Sequence, residues 1–62
     1  MNAQRLTNLT TELEAVIEST DQPELVERGI RLINGGWVLA GADEIERAGM
    51  PGYARQIRAC AE

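Results

Sequence analysis

The sequence predicts an all-α fold, a compact bundle of three or four short helices. Apolar residues recur at spacings of three and four along most of the chain, as on one face of a helix. Segments that contain glycine or proline interrupt this pattern at intervals that suit short helices. We find no internal repeat, low-complexity tract or linker, so residues 1–62 are interpreted as a single small helical domain.

The first helix has the clearest pattern in the chain. Its apolar residues share a stripe about a quarter of the helix circumference wide. They are Leu6, Leu9, Leu13, Val16 and Ile17. Glu14 and Glu18 lie nearly opposite this stripe, so they are expected to face water. The helix is predicted to end near Ser19-Thr20, because start signals for a second helix follow.

The second helix is predicted to begin in the segment Asp21–Glu24. This segment offers an aspartate as N-cap, a proline in the first turn and a glutamate three residues after the aspartate. Its polar face carries two acid-first pairs at a spacing of four residues, which favour ion pairing. They are Glu24 with Arg28 and Glu27 with Arg31.

The end of the second helix has more than one interpretation. Asn34-Gly35-Gly36 is a strong termination signal, and we favour a break at Asn34-Gly35. However, Trp37 and Ala40 continue the apolar spacing, so the helix could also run to Ala40. A short strand over residues 37–39 is a third alternative, with weak support from one β-branched residue.

The remaining chain predicts a helix, a turn and a helix. The acidic segment Asp43–Glu46 repeats the capping pattern and predicts the start of a third helix. Gly49–Gly52 predicts a break. Tyr53, Ile57 and Cys60 then recur on one side of a last short helix.

Composition argues against an enzyme. The chain has no His and no Lys, and its single cysteine, Cys60, has no partner for a disulfide or a metal site. A nucleophile with an activating base, or a cleft that shifts carboxylate pKa values, is not expected in so short a chain. We therefore assign no catalytic, cofactor-binding or metal-binding residue. The lone cysteine and the absence of a secretory or membrane-spanning pattern predict a cytoplasmic protein.

Chain length predicts self-association. A domain of this size buries only about 60% of the surface that its unfolded chain exposes, so its stability is marginal without a disulfide, a metal or a second copy. With the first two unsupported by the composition, we expect a homodimer that completes the bundle.

Protein binding is the function that the sequence favours. Trp37 and Tyr53 are the only aromatic residues, each lies beside a glycine at a predicted turn, and both types are enriched at interfaces. Trp37 could alternatively close the core of a domain that has no Phe. The net charge is −4, with six acids against one arginine in residues 1–27. Glu14, Glu18 and Asp21 are therefore expected to attract a partner with a basic surface.

The predicted function is a small acidic interaction module, an accessory or inhibitory protein that occupies a surface on a partner protein. Accessory and inhibitory proteins that phages and other mobile elements encode, such as anti-CRISPR-like counter-defence proteins, offer an analogy of size and charge only.

The alternative is a helix-turn-helix-like regulator that binds nucleic acid through Arg47, Arg55 and Arg58. Two observations weigh against it: Glu44 falls where such a motif needs an apolar residue, and the acidic first part would repel phosphates. Simple pairing, such as Asp43 with Arg47, also explains these arginines. Nucleic acid and membrane are therefore not expected as partners.

Overall fold

Four α-helices build the fold, and no residue lies in a β-strand. A computed structural model describes the whole chain, Met1–Glu62. The helices are α1 (Ala3–Val16), α2 (Pro23–Asn34), α3 (Val38–Arg47) and α4 (Pro51–Cys60), and a 3₁₀ turn (Ile17–Ser19) extends α1. The prediction of an all-α domain with three or four short helices is therefore confirmed.

Helix α1 forms where the apolar stripe predicted it. Asn2 is its N-cap, and the side-chain Oδ1 accepts a hydrogen bond from the backbone N–H of Arg5 at 3.0 Å. This bond satisfies one of the free donors of the first turn. Three leucines of the stripe are buried. They are Leu6, Leu9 and Leu13. The 3₁₀ turn ends at Ser19, which agrees with the predicted end of the helix.

Helix α2 begins at Pro23, but Asp21 does not cap it. The N-cap residue is Gln22, and no side chain accepts a hydrogen bond from the first turn. Because proline has no N–H, the first turn has one donor fewer to satisfy. The capping box predicted at Asp21–Glu24 is therefore wrong, although the helix begins inside that segment.

Helix α2 ends at Asn34, and the predicted break at Asn34-Gly35 is confirmed. The alternatives of a helix continued to Ala40 and of a strand over residues 37–39 are wrong, because a turn precedes the start of α3 at Val38. Gly36 has φ +95°, a conformation that side chains disfavour. The Gly35-Gly36 pair is thus a turn, and an added Cβ at Gly36 would meet no neighbouring atom.

The turns after α2 and after α3 use the same hydrogen bond, the six-to-one bond of the Schellman motif. After α2, the N–H of Trp37 donates to the carbonyl oxygen of Leu32 at 2.8 Å. After α3, the N–H of Met50 donates to the carbonyl oxygen of Ile45 at 3.2 Å, and Gly49 has φ +89°. The helix, turn and helix predicted for the end of the chain are therefore present.

Helix α3 begins at Val38 rather than at Asp43, so the predicted start is wrong. The capping pattern Asp43–Glu46 lies inside the helix, where its acids cannot act as an N-cap. The signal for the true start is apolar spacing: Val38, Ala42 and Ile45 are four and three residues apart, and all are buried.

Helices α2 and α3 cross at two glycines. A Cβ added to Gly41 would lie 2.5 Å from Cγ1 of Ile33 and 2.7 Å from the carbonyl oxygen of Gly29. A Cβ added to Gly29 would lie 2.7 Å from Cδ1 of Ile45. Residue 29 thus faces residue 45 and residue 33 faces residue 41, so the two helices run antiparallel. The backbones approach this closely because both positions lack a side chain.

The core contains thirteen buried apolar residues drawn from all four helices. The largest fully buried side chains are Leu9, Leu13, Val26, Ile45 and Ile57. The accessible surface of 3930 Å² is close to the roughly 4000 Å² expected for a folded monomer of this mass. Burial in the single chain is therefore that of a typical monomer, and the homodimer stays a prediction.

A nearly buried carboxylate joins α3 to α2. Glu44 is 9% exposed, and its two oxygens lie 3.4 Å from Nη1 of Arg28 and 3.3 Å from Nη1 of Arg47. The predicted pairs of Arg28 with Glu24 and of Arg47 with Asp43 do not form. The physical reason is that a carboxylate withdrawn from water gains more from these two cations than an exposed acid does.

Replacing Glu44 by Gln should lower the free energy of unfolding by about 1 kcal/mol at low salt, because both guanidinium contacts lose their charge attraction. Urea denaturation measures this difference. It should shrink at high salt, since the Arg28 and Arg47 side chains are 60% and 71% exposed. Glu12→Gln is the control, because Glu12 is exposed and forms no ion pair. Equal losses in the free energy of unfolding for Glu44→Gln and Glu12→Gln would contradict the ion pairs assigned to Glu44.

Candidate functional site

The surface carries four shallow open clefts with volumes between about 250 and 370 Å³. No group of three or more Cys, Asp or Glu side chains is arranged to hold a metal ion. No helix combines the length and the apolar character that a membrane-spanning segment needs. The predicted binding residues are therefore described by their exposure to solvent and by their charge.

Three large apolar side chains are exposed, and they lie together. Met1, Trp37 and Leu39 are 70%, 68% and 60% exposed. All three line one cleft of about 310 Å³, together with Val38, Ala40 and small residues. We call these three residues the end patch, because they lie where α2 ends, α3 begins and both termini meet.

The local structure explains why the end patch faces outward. Trp37 precedes the first residue of α3, outside the helical stripe. Val38 points into the core, so Leu39, one residue further round the helix, points away from it. The N–H of Asn2 donates to the carbonyl oxygen of Cys60 at 3.0 Å, which holds Met1 at this end of the bundle.

The interpretation in which Trp37 closes the core is wrong, because most of its side chain is exposed. Its spacing from Ile33 matches a helical stripe only if the helix continues, and α2 ends at Asn34. The turn at Gly36 interrupts the helical spacing of the apolar residues, so Trp37 lies on the surface.

Tyr53 does not join the end patch. It lies in the first turn of α4, is half-buried and packs against the core. Of the two aromatic residues, Trp37 alone presents most of its side chain to solvent. Tyr53 thus contributes to packing as well as to the surface.

The predicted acidic residues are exposed and unpaired. Glu14 lies on α1, Glu18 in the 3₁₀ turn and Asp21 in the connection to α2. All four ion pairs of the structure involve acids of α3 instead. The predicted pair of Glu27 with Arg31 does not form either. The negative charges of residues 1–27 are therefore not neutralised by ion pairs within the protein.

The structure does not bring the predicted binding residues into one site. Asp21 shares a cleft with Gly49 and Met50, just beyond the last turn of α3. Trp37 lies before the first turn of α3, and a helix of this length spans about 15 Å. Trp37 and Asp21 therefore belong to different parts of the surface.

The arginines proposed for nucleic acid are mostly engaged within the protein. Arg58 lies 2.7 Å from Oδ1 of Asp43 and 2.6 Å from Oε1 of Glu46. The hydrogen bond to Asp43, followed by that to Glu46, raises the pKa of Arg58 above its ordinary value. Arg47 is paired with Glu44, which leaves Arg55 as the one member of the set without an ion pair.

Sequence reasoning missed two features of the surface. Leu39 was not expected beside Trp37, because the predicted start of α3 was too late. Met1 was not expected there either, because its position follows from the hydrogen bond between Asn2 and Cys60. A correct start at Val38 would have put Leu39 off the buried stripe. The second feature is a groove between α1 and α2, and no local pattern could indicate it because its walls come from two helices.

No protein-family model matches the chain, and no curated protein or solved structure is significantly similar to it.

Proposed function

We propose that this chain is a small protein–protein interaction module that contacts its partner through the end patch. The observation that carries the proposal is the grouping of Met1, Trp37 and Leu39, the three large apolar side chains that the fold leaves exposed. Grouped apolar side chains on a surface are typical of interaction sites, whereas single ones are common everywhere. Tryptophan is also the residue type most enriched at energetic hot spots of interfaces.

The size of the end patch indicates what kind of partner it suits. At their exposed fractions, the three residues present roughly 400 Å² of surface, most of it apolar. Its burial would contribute at most about 10 kcal/mol, which is comparable to the 4–15 kcal/mol that association costs. A partner must therefore offer further contacts around Trp37 to bind tightly.

The homodimer expected from the chain length is the finer prediction, and no interface is assigned to it. Against a second copy or any other partner, these three side chains alone would bury about 800 Å² in total, below the 1,200–2,000 Å² of stable interfaces. We propose a different protein as the main occupant, because two copies that each carry a net charge of −4 repel each other.

The unpaired acids of the first part of the chain support a partner with a basic surface. Opposite charge accelerates encounter and disfavours acidic competitors, even when it adds little to affinity. A module that acts by covering a partner's surface would work as an accessory or inhibitory protein. No catalytic step is part of this proposal.

The test is a pull-down with the tagged chain from lysate of its own host, with and without nuclease. We expect a protein that resists nuclease treatment and is lost with the Trp37→Ala variant. Light scattering of the purified chain reads its oligomeric state in parallel. Recovery of nucleic acid that nuclease removes, unchanged in the Trp37→Ala variant, would overturn the proposal.

Nucleic-acid binding is the second candidate, favoured by the helix, turn and helix of α3 and α4. It would use the unpaired Arg55, with Arg47 and Arg58 released from their acids. Duplex binding with a steep salt dependence, lost on Arg55→Ala combined with Arg58→Ala, would be its signature.

A further inference from the structure

Helices α1 and α2 form a groove of about 370 Å³ that shares no residue with the end patch. Ile17, which is half-buried, and the outer edge of Ile30, which is 7% exposed, give it an apolar floor. Glu14 on α1 and Glu27 on α2 line the groove from its two helices, and Arg31 completes it. The groove thus combines a small apolar strip with carboxylates contributed by both helices.

The charges of this groove are not satisfied within the chain. Neither Glu14 nor Glu27 lies within ion-pair distance of any arginine, and Arg31 is also unpaired. Two carboxylates against one guanidinium leave the lining of the groove negative by one charge.

We propose that this groove binds a basic amphipathic helix of a partner protein. Aliphatic side chains of that helix would cover Ile17 and the exposed edge of Ile30, and its Lys or Arg residues would face Glu14 and Glu27. The argument is charge complementarity: a purely apolar segment would leave the carboxylates facing a low-dielectric contact without partners, and an acidic one would be repelled. Docking of an amphipathic helix into an apolar groove is a common mode of peptide recognition. The groove shares no residue with the end patch, but Glu14 is one of the acids proposed above to favour a basic partner, so the inference deepens that part of the proposed function and rests on it.

The probe is a synthetic alanine-based helical peptide with two Leu residues four apart and Lys residues flanking them. Titration into the isotope-labelled chain is followed by amide chemical shifts. We expect the largest shifts at Ile17, Glu27 and Ile30, and none at Trp37. The binding should weaken as NaCl is raised from about 0.05 M to about 0.5 M, because screening shortens the range of the attraction.

Matched variants distinguish peptide binding at the groove from a general effect of the acidic charge of the chain. Glu14→Gln and Glu27→Gln should each weaken peptide binding about threefold, the range measured for exposed charge pairs. Glu12→Gln carries the same charge change on the other side of α1 and should have no effect. Arg31→Gln removes the opposing charge and should tighten binding.

Two further controls decide the outcome. The same peptide with Glu in place of Lys should not bind, and Trp37→Ala should leave binding of the Lys peptide unchanged. Shifts centred on the end patch, an equal loss with Glu12→Gln, or no shift in the groove at about 1 mM peptide would overturn the proposal. Because Trp37→Ala is tested with this peptide as well as in the pull-down, failure of the groove and failure of the end patch are distinguishable.

Discussion

Gly41→Ala should lower the free energy of unfolding by about 2 kcal/mol. The added methyl group would lie 2.5 Å from Cγ1 of Ile33 and 2.7 Å from the carbonyl oxygen of Gly29. Ile33 can adjust its side chain, but the Gly29 oxygen belongs to the backbone of α2 and moves only if the helices separate. Overpacking costs about 1–3 kcal/mol, and the contact with a backbone atom places Gly41→Ala at the upper end of this range, whereas the gain in helix propensity from Gly to Ala returns only about 1 kcal/mol.

Such a loss is large for this chain. A domain of this size is expected to have a stability of about 3–9 kcal/mol, so the variant should also melt roughly 10 °C lower. Circular dichroism during urea and thermal denaturation measures both changes.

Gly52→Ala is the matched control for Gly41→Ala. Gly52 lies in the first turn of α4, and a Cβ there would meet no atom within 4 Å. The same substitution should therefore stabilise the fold by a few tenths of a kcal/mol through helix propensity. If both variants were equally stable, the close crossing of α2 and α3 would be contradicted.

Trp37→Ala should weaken binding of the captured partner at least about 30-fold, which corresponds to the 2 kcal/mol typical of a hot-spot residue. The same change should alter the free energy of unfolding by less than about 0.5 kcal/mol, because the side chain makes few contacts within the fold. Calorimetric titration with the partner and urea denaturation measure the two quantities.

Two variants control the experiment on Trp37. Leu39→Ala removes a second member of the end patch and should weaken binding less than Trp37→Ala does. Arg55→Ala truncates an exposed, unpaired side chain outside the patch and should leave binding unchanged. Loss of stability without loss of affinity in the Trp37→Ala variant would mean that Trp37 is a structural residue.

Local sequence patterns predicted a helix or a break correctly where separate sequence signals for it agreed. In α1, the spacing of the leucines coincides with a helix, and the break after Asn34 coincides with a glycine that must adopt positive φ. The start of α3 was missed because an acidic capping pattern competed with apolar spacing. Asp43 and Glu44 are better explained by the arginines that they contact from other helices.

The candidate surfaces depended on tertiary structure and could be predicted only in part. Trp37 and Asp21 were recognised by type, but their positions at opposite ends of α3 follow from the fold. The close approach of Gly29 and Gly41 was likewise not foreseen, because nothing local distinguishes a packing glycine from one that weakens a helix. The groove of Glu14 and Glu27 joins residues that are distant in sequence.

The most direct test of the central claim is the fluorescence of Trp37, which is the only tryptophan in the chain. In the dilute native protein, emission should resemble that of the unfolded chain, because the indole is exposed to water. Addition of the captured partner should shift it to shorter wavelength, as the end patch becomes covered. Two results would contradict the account. One is emission of the dilute native protein at a shorter wavelength than that of the unfolded chain, and the other is no shift of the emission when the partner binds.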